Sequence, residues 1–137
     1  MNECIFCKIA KKEIPSNVIY EDDTCFAFLD INPSNKGHTL IIPKKHFANF
    51  DEIDAKDLQH IILISQKINH AIRNICEGTN ILINNGTCAG QTIYHFHLHV
   101  IPKHDTDDWS LTWPHKKYDG DINLYAEIIR SAIKHHE

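Results

Sequence analysis

In the stretch Gly90-Gln91-Thr92-Ile93-Tyr94-His95-Phe96-His97-Leu98-His99-Val100-Ile101-Pro102, apolar Tyr94, Phe96, Leu98 and Val100 alternate strictly with His95, His97 and His99. A period of two marks a half-buried β-strand, with one face core and the other histidine. On a helix the three imidazoles would diverge; on a strand they share a face, with Cβ atoms roughly 6.5–7 Å apart. Such a row can hold an anion, grip a transition metal or present a nucleophile. Imidazole titrates near pH ~6.5, so at neutral pH it supplies an uncharged nucleophile and a proton carrier with modest tuning. The entry to the strand separates these uses. Gln91 and Thr92 are neutral hydrogen-bonding side chains and Gly90 allows close backbone approach, as an oxyanion or phosphate requires. A metal site alone has no need of them.

Ala89-Gly90-Gln91-Thr92 followed by His95-Phe96-His97-Leu98-His99-Val100-Ile101 resembles the histidine-triad motif, His-φ-His-φ-His-φ-φ with φ apolar, of the HIT superfamily of nucleotide hydrolases and transferases. Ile5-Phe6, Glu13-Ile14-Pro15, Tyr20-Glu21-Asp22-Asp23, residues 26–33 and Ile41-Ile42-Pro43-Lys44-Lys45-His46 are similar to the Hint branch in order and spacing. The likeness covers roughly residues 4–104. It implies a HIT-like α+β fold, an antiparallel five-stranded sheet with one long helix and a C-terminal helix, paired as a homodimer through sheets and long helices.

At 137 residues the chain reads as a single domain, 1–137, long enough to bury a core. Its net charge of −4 offers no general attraction to nucleic acid or anionic membrane, so binding of a polyanion has to be local. The five cysteines, Cys4, Cys7, Cys25, Cys76 and Cys88, are an odd number, and no apolar signal region follows Met1. A reduced, cytoplasmic setting is expected, with neither nucleic acid nor membrane as partner. No run approaches the ~20 apolar residues of a membrane span.

Coarse elements follow from periodicity and punctuation. Residues 18–21 and 25–29 are strand-like and joined by the turn-forming Asp22-Asp23; 38–43 is a third strand after the polar loop 30–37. Over 54–76, Leu58, Ile61, Ile62, Ser65, Ile68, Ala71, Ile72 and Ile75 recur at three- and four-residue steps, with Asp54 as N-cap and Gly78 as C-cap. His60 and His70 fall off that stripe and read as solvated. A fourth strand, 80–84, leads through Asn85-Gly86 into the triad strand, and Ile122, Tyr125, Ile128, Ile129, Ala132 and Ile133 mark a terminal amphipathic helix. This order gives an α+β domain with a largely antiparallel sheet.

Cys4-Ile5-Phe6-Cys7 by itself reads as a redox pair, half of a zinc site or two incidental thiols. No thioredoxin-like context surrounds it, and a zinc site needs two more ligands. The resemblance implies structural zinc held by Cys4, Cys7, His46 and His95, tying the N-terminal turn to the sheet, with no catalytic metal required. It further implies a purine nucleotide site. Ile5, Phe6, Ile9, Phe28 and Ile31 would line the base, Asp30 would hold the ribose hydroxyls, and Asn84, Gly90, Gln91, Thr92, His97 and His99 would lie at the phosphate. An apolar slot suits a flat base, and a carboxylate accepts two hydroxyl hydrogen bonds. As a C-terminal tryptophan does in the Hint branch, Trp113-Pro114 would help shape the partner subunit's pocket.

By the same resemblance His97 attacks the α-phosphorus and forms a nucleotidyl-histidine that water resolves. His99 donates to the phosphate oxygens, Gln91 and Thr92 contact phosphate or leaving group, and His38 orients a triad imidazole. The Hint-like N-terminal half implies phosphoramidates and acyl-nucleotides as substrates; the Ala89-Gly90-Gln91-Thr92 run is also similar to the Fhit branch, which splits dinucleoside polyphosphates. Nucleotidyl transfer is a further option, although that branch usually replaces the last histidine, here His99. A zinc-stabilised nucleotide-binding or interaction module with little turnover is the reading from a different class.

Overall fold

A computed structural model describes residues 3–107 and 115–134 of the chain, which divides into two compact units, Met1–Asp107 and Asp108–Glu137. The expected pocket role of Trp113-Pro114 falls outside the described residues. In the first unit a short helix α1 (Ile5–Ala10) precedes strands β1 (Val18–Glu21), β2 (Cys25–Leu29) and β3 (Thr39–Pro43), then helix α2 (Ala55–Ile72), β4 (Gly78–Leu82), a 3₁₀ turn (Thr87–Ala89) and β5 (Leu98–Lys103). The strands form the expected five-stranded antiparallel sheet, in the order β1-β2-β3-β5-β4.

The central strands are buried on both sides, which is why Cys-Phe-Ala-Phe-Leu and Thr-Leu-Ile-Ile-Pro read as continuous apolar runs. Cys25, Ala27, Ile41, Leu98 and Val100 pack against Ile61, Ile64, Ile68 and Ile72 of α2. Phe26, Phe28, Leu40 and Ile42 point to the opposite face and pack against Phe6, Ile9 and Ala10 of α1. Leu40 pairs with His99 and Ile41 with Leu98, so the register places His99 on the α1 face.

Helix α2 starts where expected, with Asp54 Oδ1 accepting the Asp57 N–H at 2.8 Å. It ends sooner. Arg73 is the C-cap, the N–H groups of Asn74 and Ile75 bond three residues back, and Gly78 opens β4 instead of capping the helix. Its buried stripe holds Ile64, while Ile62, Ala71 and Ile75 are exposed. The fourth strand correspondingly runs 78–82, two residues earlier than its pattern suggested.

The histidine strand also differs from expectation. Pairing begins only at Leu98, because β3 ends at Pro43, which has no N–H to continue the ladder. The Pro43 carbonyl instead accepts from His95 Nε2 at 2.8 Å, and the Phe96 N–H goes to the Phe47 carbonyl at 2.6 Å. Phe96 is buried; Tyr94, read as core, is 45% exposed, its hydroxyl 2.6 Å from that of Thr87. The second unit contains α3 (Ile122–Lys134), on which Ile122, Leu124, Tyr125, Ile128, Ile129 and Ile133 are all exposed. No helix among the described residues is long and apolar enough to cross a membrane.

Candidate active site

A cavity of about 400 Å³ opens on the α1 face of the sheet, within the range that holds small ligands. Ile5, Phe6 and Ile9 of α1 form one wall, Phe28, Asp30 and Ile31 another, and Thr92, His97 and His99 a third. These nine are all among the expected nucleotide-site residues. Ile14, Pro15, Leu40 and Ile93 also line it and were missed. Parity could have found two of them: Ile93 shares the odd positions of the histidines, and Leu40 shares the face of His38.

Asn84, Gly90 and Gln91 do not line this cavity. Gly90, at φ +100°, is in the left-handed region, and a Cβ there would lie 3.5 Å from Asn84 Nδ2. Gln91 is 2% exposed and bound to backbone throughout: Nε2 donates to the carbonyls of Ala48 (2.7 Å) and Ile93 (3.1 Å), and Oε1 accepts the Gly86 N–H (3.0 Å). Both amide hydrogens are therefore spent on the loop, leaving none for a phosphate. The side chain braces the entry to the histidine row.

The imidazoles are neutral, and their partners settle their tautomers. Burial depresses His97 and His38, while His99 is held at about 4 by burial, with the neighbouring His97 and His38 adding to the effect. A carbonyl only accepts, so His97 Nδ1 donates to the His95 carbonyl at 2.7 Å and its Nε2 keeps a lone pair. The Ser34 N–H donates to His38 Nδ1 at 3.1 Å, which puts the His38 proton on Nε2; that N–H points at His99 Nδ1, 2.9 Å away. The His99 proton then resides on Nε2, a buried atom without a hydrogen bond among the described residues. A lone pair and an N–H thus stand on adjacent rings whose centroids are 5.0 Å apart. Asp30 completes the edge: Oδ1 accepts the Asn32 N–H at 2.9 Å, and Oδ2 lies 3.8 Å from His38 Nε2.

Cys4, Cys7, His46 and His95 come together as expected, their ligand atoms all within 4.8 Å of one another. Cys4 Sγ and Cys7 Sγ lie 3.3 and 3.5 Å from His95 Nδ1, and Cys7 Sγ lies 3.4 Å from His46 Nδ1. Tetrahedral zinc with ligands at 2.0–2.3 Å spaces sulfur and nitrogen roughly 3.5 Å apart, so the donors fit that ion with little adjustment. His95 Nε2 donates to the Pro43 carbonyl, which aims the Nδ1 lone pair at the sulfurs. Burial pushes the Cys7 thiol up to about 11, with Cys4 adding to the rise, a cost a bound cation reverses. The cluster is physically joined to the cavity. Phe6, between the two cysteines in sequence, packs edge-on against His97 with ring centroids 5.1 Å apart, and the His95 carbonyl orients His97.

Residues 11–106 match the HIT domain family model. The adenylylsulfatase HINT3 of Arabidopsis thaliana is 36% identical over 98% of this chain and 70% of its own length. The structure of a histidine triad nucleotide-binding protein from Candida albicans superposes with a TM-score of 0.87 at 34% identity, covering 98% of this chain and all of that one (100%). A zinc-bound histidine triad family protein from Mycobacterium smegmatis superposes with a TM-score of 0.76 at 34% identity, covering 98% of this chain and 95% of that one.

Proposed function

This chain belongs to the HIT-domain family, and on that premise we propose that it is a nucleotide hydrolase cleaving nucleoside 5′-phosphoramidates or acyl-nucleotides at the α-phosphate. The observation that carries this reading is the tautomer arrangement at the cavity: a lone pair on His97 Nε2 beside an N–H on His99 Nε2. His97 Nε2 attacks the α-phosphorus, forming an N–P bond as the bond to the leaving amine or acyl group breaks. The positive charge that develops on the His97 ring is held at Nδ1–H by the His95 carbonyl. His99 Nε2–H donates to a phosphate oxygen, where negative charge gathers in the transition state. Thr92, exposed at the cavity edge, is placed to pass a proton to the leaving group. Water then resolves the nucleotidyl-histidine and releases a nucleoside monophosphate.

The apolar wall of Ile5, Phe6, Ile9 and Phe28 takes the purine base, and Asp30 takes the ribose hydroxyls. His38 acts through His99 as a positioning residue, and Gln91 by bracing the loop. Cys4, Cys7, His46 and His95 are assigned to one structural zinc, which with four protein ligands supplies fold stability and leaves no open position for chemistry. The zinc-bound relative supports this assignment. The homodimer implied by family resemblance is part of the same proposal, and the exposure of Ile62 (45%) and Leu63 (61%) on α2 supports it. The test is turnover of adenosine 5′-phosphoramidate against diadenosine tetraphosphate by native protein and His97→Ala. Preference for the phosphoramidate, abolished in the variant, is expected. Preference for the dinucleotide moves the chain to the Fhit-like class; activity surviving without His97 overturns the mechanism.

A further inference from the structure

The other face of the sheet carries a cluster that the proposed reaction does not use. Asp22, in the turn between β1 and β2, holds four hydrogen bonds. Oδ1 accepts the N–H groups of Thr24 (2.8 Å) and Cys25 (2.9 Å), and Oδ2 accepts the Tyr20 hydroxyl (2.8 Å) and His60 Nε2 (2.6 Å). His60, which its place off the apolar stripe marked as merely solvated, therefore ties α2 to the hairpin. Cys25 points to the same place from β2 and is fully buried, packed with the α2 core, whereas Phe6 and Ile9 of the cavity wall pack on the opposite side of the sheet. The reactive atoms of Asp22, Cys25 and His60 all lie within 4.8 Å of one another.

We propose that Asp22 Oδ2, Cys25 Sγ and His60 Nε2 form a second, independent site for a divalent transition-metal ion of zinc or cobalt type. The donor set argues for that class: one thiolate, one imidazole and one carboxylate suit a borderline ion and disfavour magnesium or calcium, which take oxygen ligands. The donors, all within 4.8 Å of one another, have to close by no more than about 1 Å to reach a common ion. Ligands at about 2.0–2.3 Å around a tetrahedral ion stand roughly 3.3–3.7 Å apart. The 2.6 Å contact between His60 and Asp22 has to widen, which a His60 side chain 37% exposed on a helix surface can do by turning. The two N–H bonds to Asp22 Oδ1 do not compete with the ion; they orient the carboxylate as outer-shell bonds to metal ligands do. Asp57, one turn before His60 on α2, is 5% exposed and close enough to act electrostatically on Cys25, adding buried negative charge that favours a cation. Three protein ligands leave a fourth position for water on the side where His60 and Asp22 reach solvent.

Binding releases the Cys25 thiol proton to solvent and moves the His60 proton from Nε2 to Nδ1. With three protein ligands against four, this site is weaker than the Cys4 cluster and fills after it. The ion would join the β1–β2 turn to α2 without touching the histidine row.

The test uses the full chain, native and as His60→Gln and Cys25→Ser, equilibrated with zinc and then with cobalt(II) near neutral pH and freed of unbound metal. Native protein is expected to hold one more ion per chain, zinc and cobalt together, than His60→Gln. The native-minus-Cys25→Ser difference spectrum is expected to show thiolate-to-cobalt charge transfer. His60→Gln is expected to bind at least tenfold more weakly, with nucleotide turnover unchanged. Equal metal content in native and His60→Gln protein overturns the site, however many ions the Cys4 cluster holds. A difference spectrum without charge transfer does the same for Cys25 as ligand. Because His60 is a surface residue, its variant reports on the site even where Cys25→Ser loses stability.

Discussion

Replacing His99 by Phe tests the hydrogen-bond chain that runs from the Ser34 N–H through His38 to His99 Nε2. The substitution keeps a planar ring and deletes the one donor assigned to the phosphate. Loss of a single preorganised donor to a transition-state oxyanion costs about 2.7–4 kcal/mol, a fall in kcat of about 10²–10³. Stability should hardly move. His99→Phe removes a buried N–H without a partner, a gain of about 1–3 kcal/mol, but strands the His38 Nε2–H that it accepted, a loss of similar size. His38→Phe alone frees both His99 tautomers and should lower kcat about tenfold, the scale of a coupled neighbour. The double variant should be no slower than His99→Phe, since His38 has nothing left to orient. Steady-state turnover of the phosphoramidate and thermal unfolding of all four proteins provide the readout. A kcat within about threefold of native for His99→Phe would refute the donor role. A further loss on adding His38→Phe would mean that His38 acts on the substrate directly.

Gln91→Ala should behave as a folding variant: three backbone groups lose a buried partner, at a cost of about 2–4 kcal/mol seen as a lower urea midpoint; unchanged stability with lost activity would return Gln91 to the phosphate. Holding His99 at about 4 against an ordinary 6.5 means the unfolded chain takes up the proton first on acidification. The His99 contribution to stability is therefore full above about pH 6.5 and lost as pH falls towards 4, by on the order of 1–2 kcal/mol once solvent screening is allowed for. Urea unfolding across that window should show the slope, and His99→Phe should reduce it, the remainder belonging to His38, His95 and His97, which burial also depresses. Cys4→Ser with Cys7→Ser should lose about one zinc per chain, from the four-ligand cluster, together with stability; metal analysis and unfolding finding native stability without zinc would remove the structural role. Gly37→Ala should destabilise by about 1–2 kcal/mol, because Gly37 has φ +96° and a Cβ there meets Pro102 Cγ at 3.2 Å; thermal unfolding checks it.

Local pattern carried much of this fold. Continuous apolar runs marked β2 and β3, Asp22-Asp23 marked the β1–β2 hairpin, and Asp54 marked the start of α2. What failed was decided by distant partners. Whether Tyr94 is core depends on where the β3–β5 ladder stops, and that is set by the missing N–H of Pro43, some fifty residues earlier in the chain. The end of α2 is decided where the chain must turn back to pair with β5, Gly78 lying opposite Lys103. His60 looked idle because its partner, Asp22, belongs to a turn 38 residues away. For the site, alternation pointed to the histidine row, while the apolar wall and Asp30 were implied by the family resemblance; the structure gathers these residues around one cavity. Residue type could not tell where the Gln91 amide points, because a glutamine beside a glycine has the same letters whether its amide faces a ligand or a backbone carbonyl.

Alternation places histidines together, but it cannot divide labour among them, since all carry the same ring. The partner of one nitrogen decides what the other can do. The Pro43 carbonyl takes His95 Nε2–H and turns Nδ1 to the cysteines. The His95 carbonyl takes His97 Nδ1–H and leaves Nε2 nucleophilic. An N–H at Ser34, acting through His38, leaves His99 as a donor. On the proposed mechanism, two carbonyls and one amide thus fit identical side chains for three tasks, metal ligation, nucleophilic attack and hydrogen-bond donation. Because the His95 backbone serves His97 while its side chain serves the cysteine cluster, that cluster and the His97 ring meet at one residue. Any displacement of His95 on metal loss is then transmitted to His97 through a single 2.7 Å hydrogen bond.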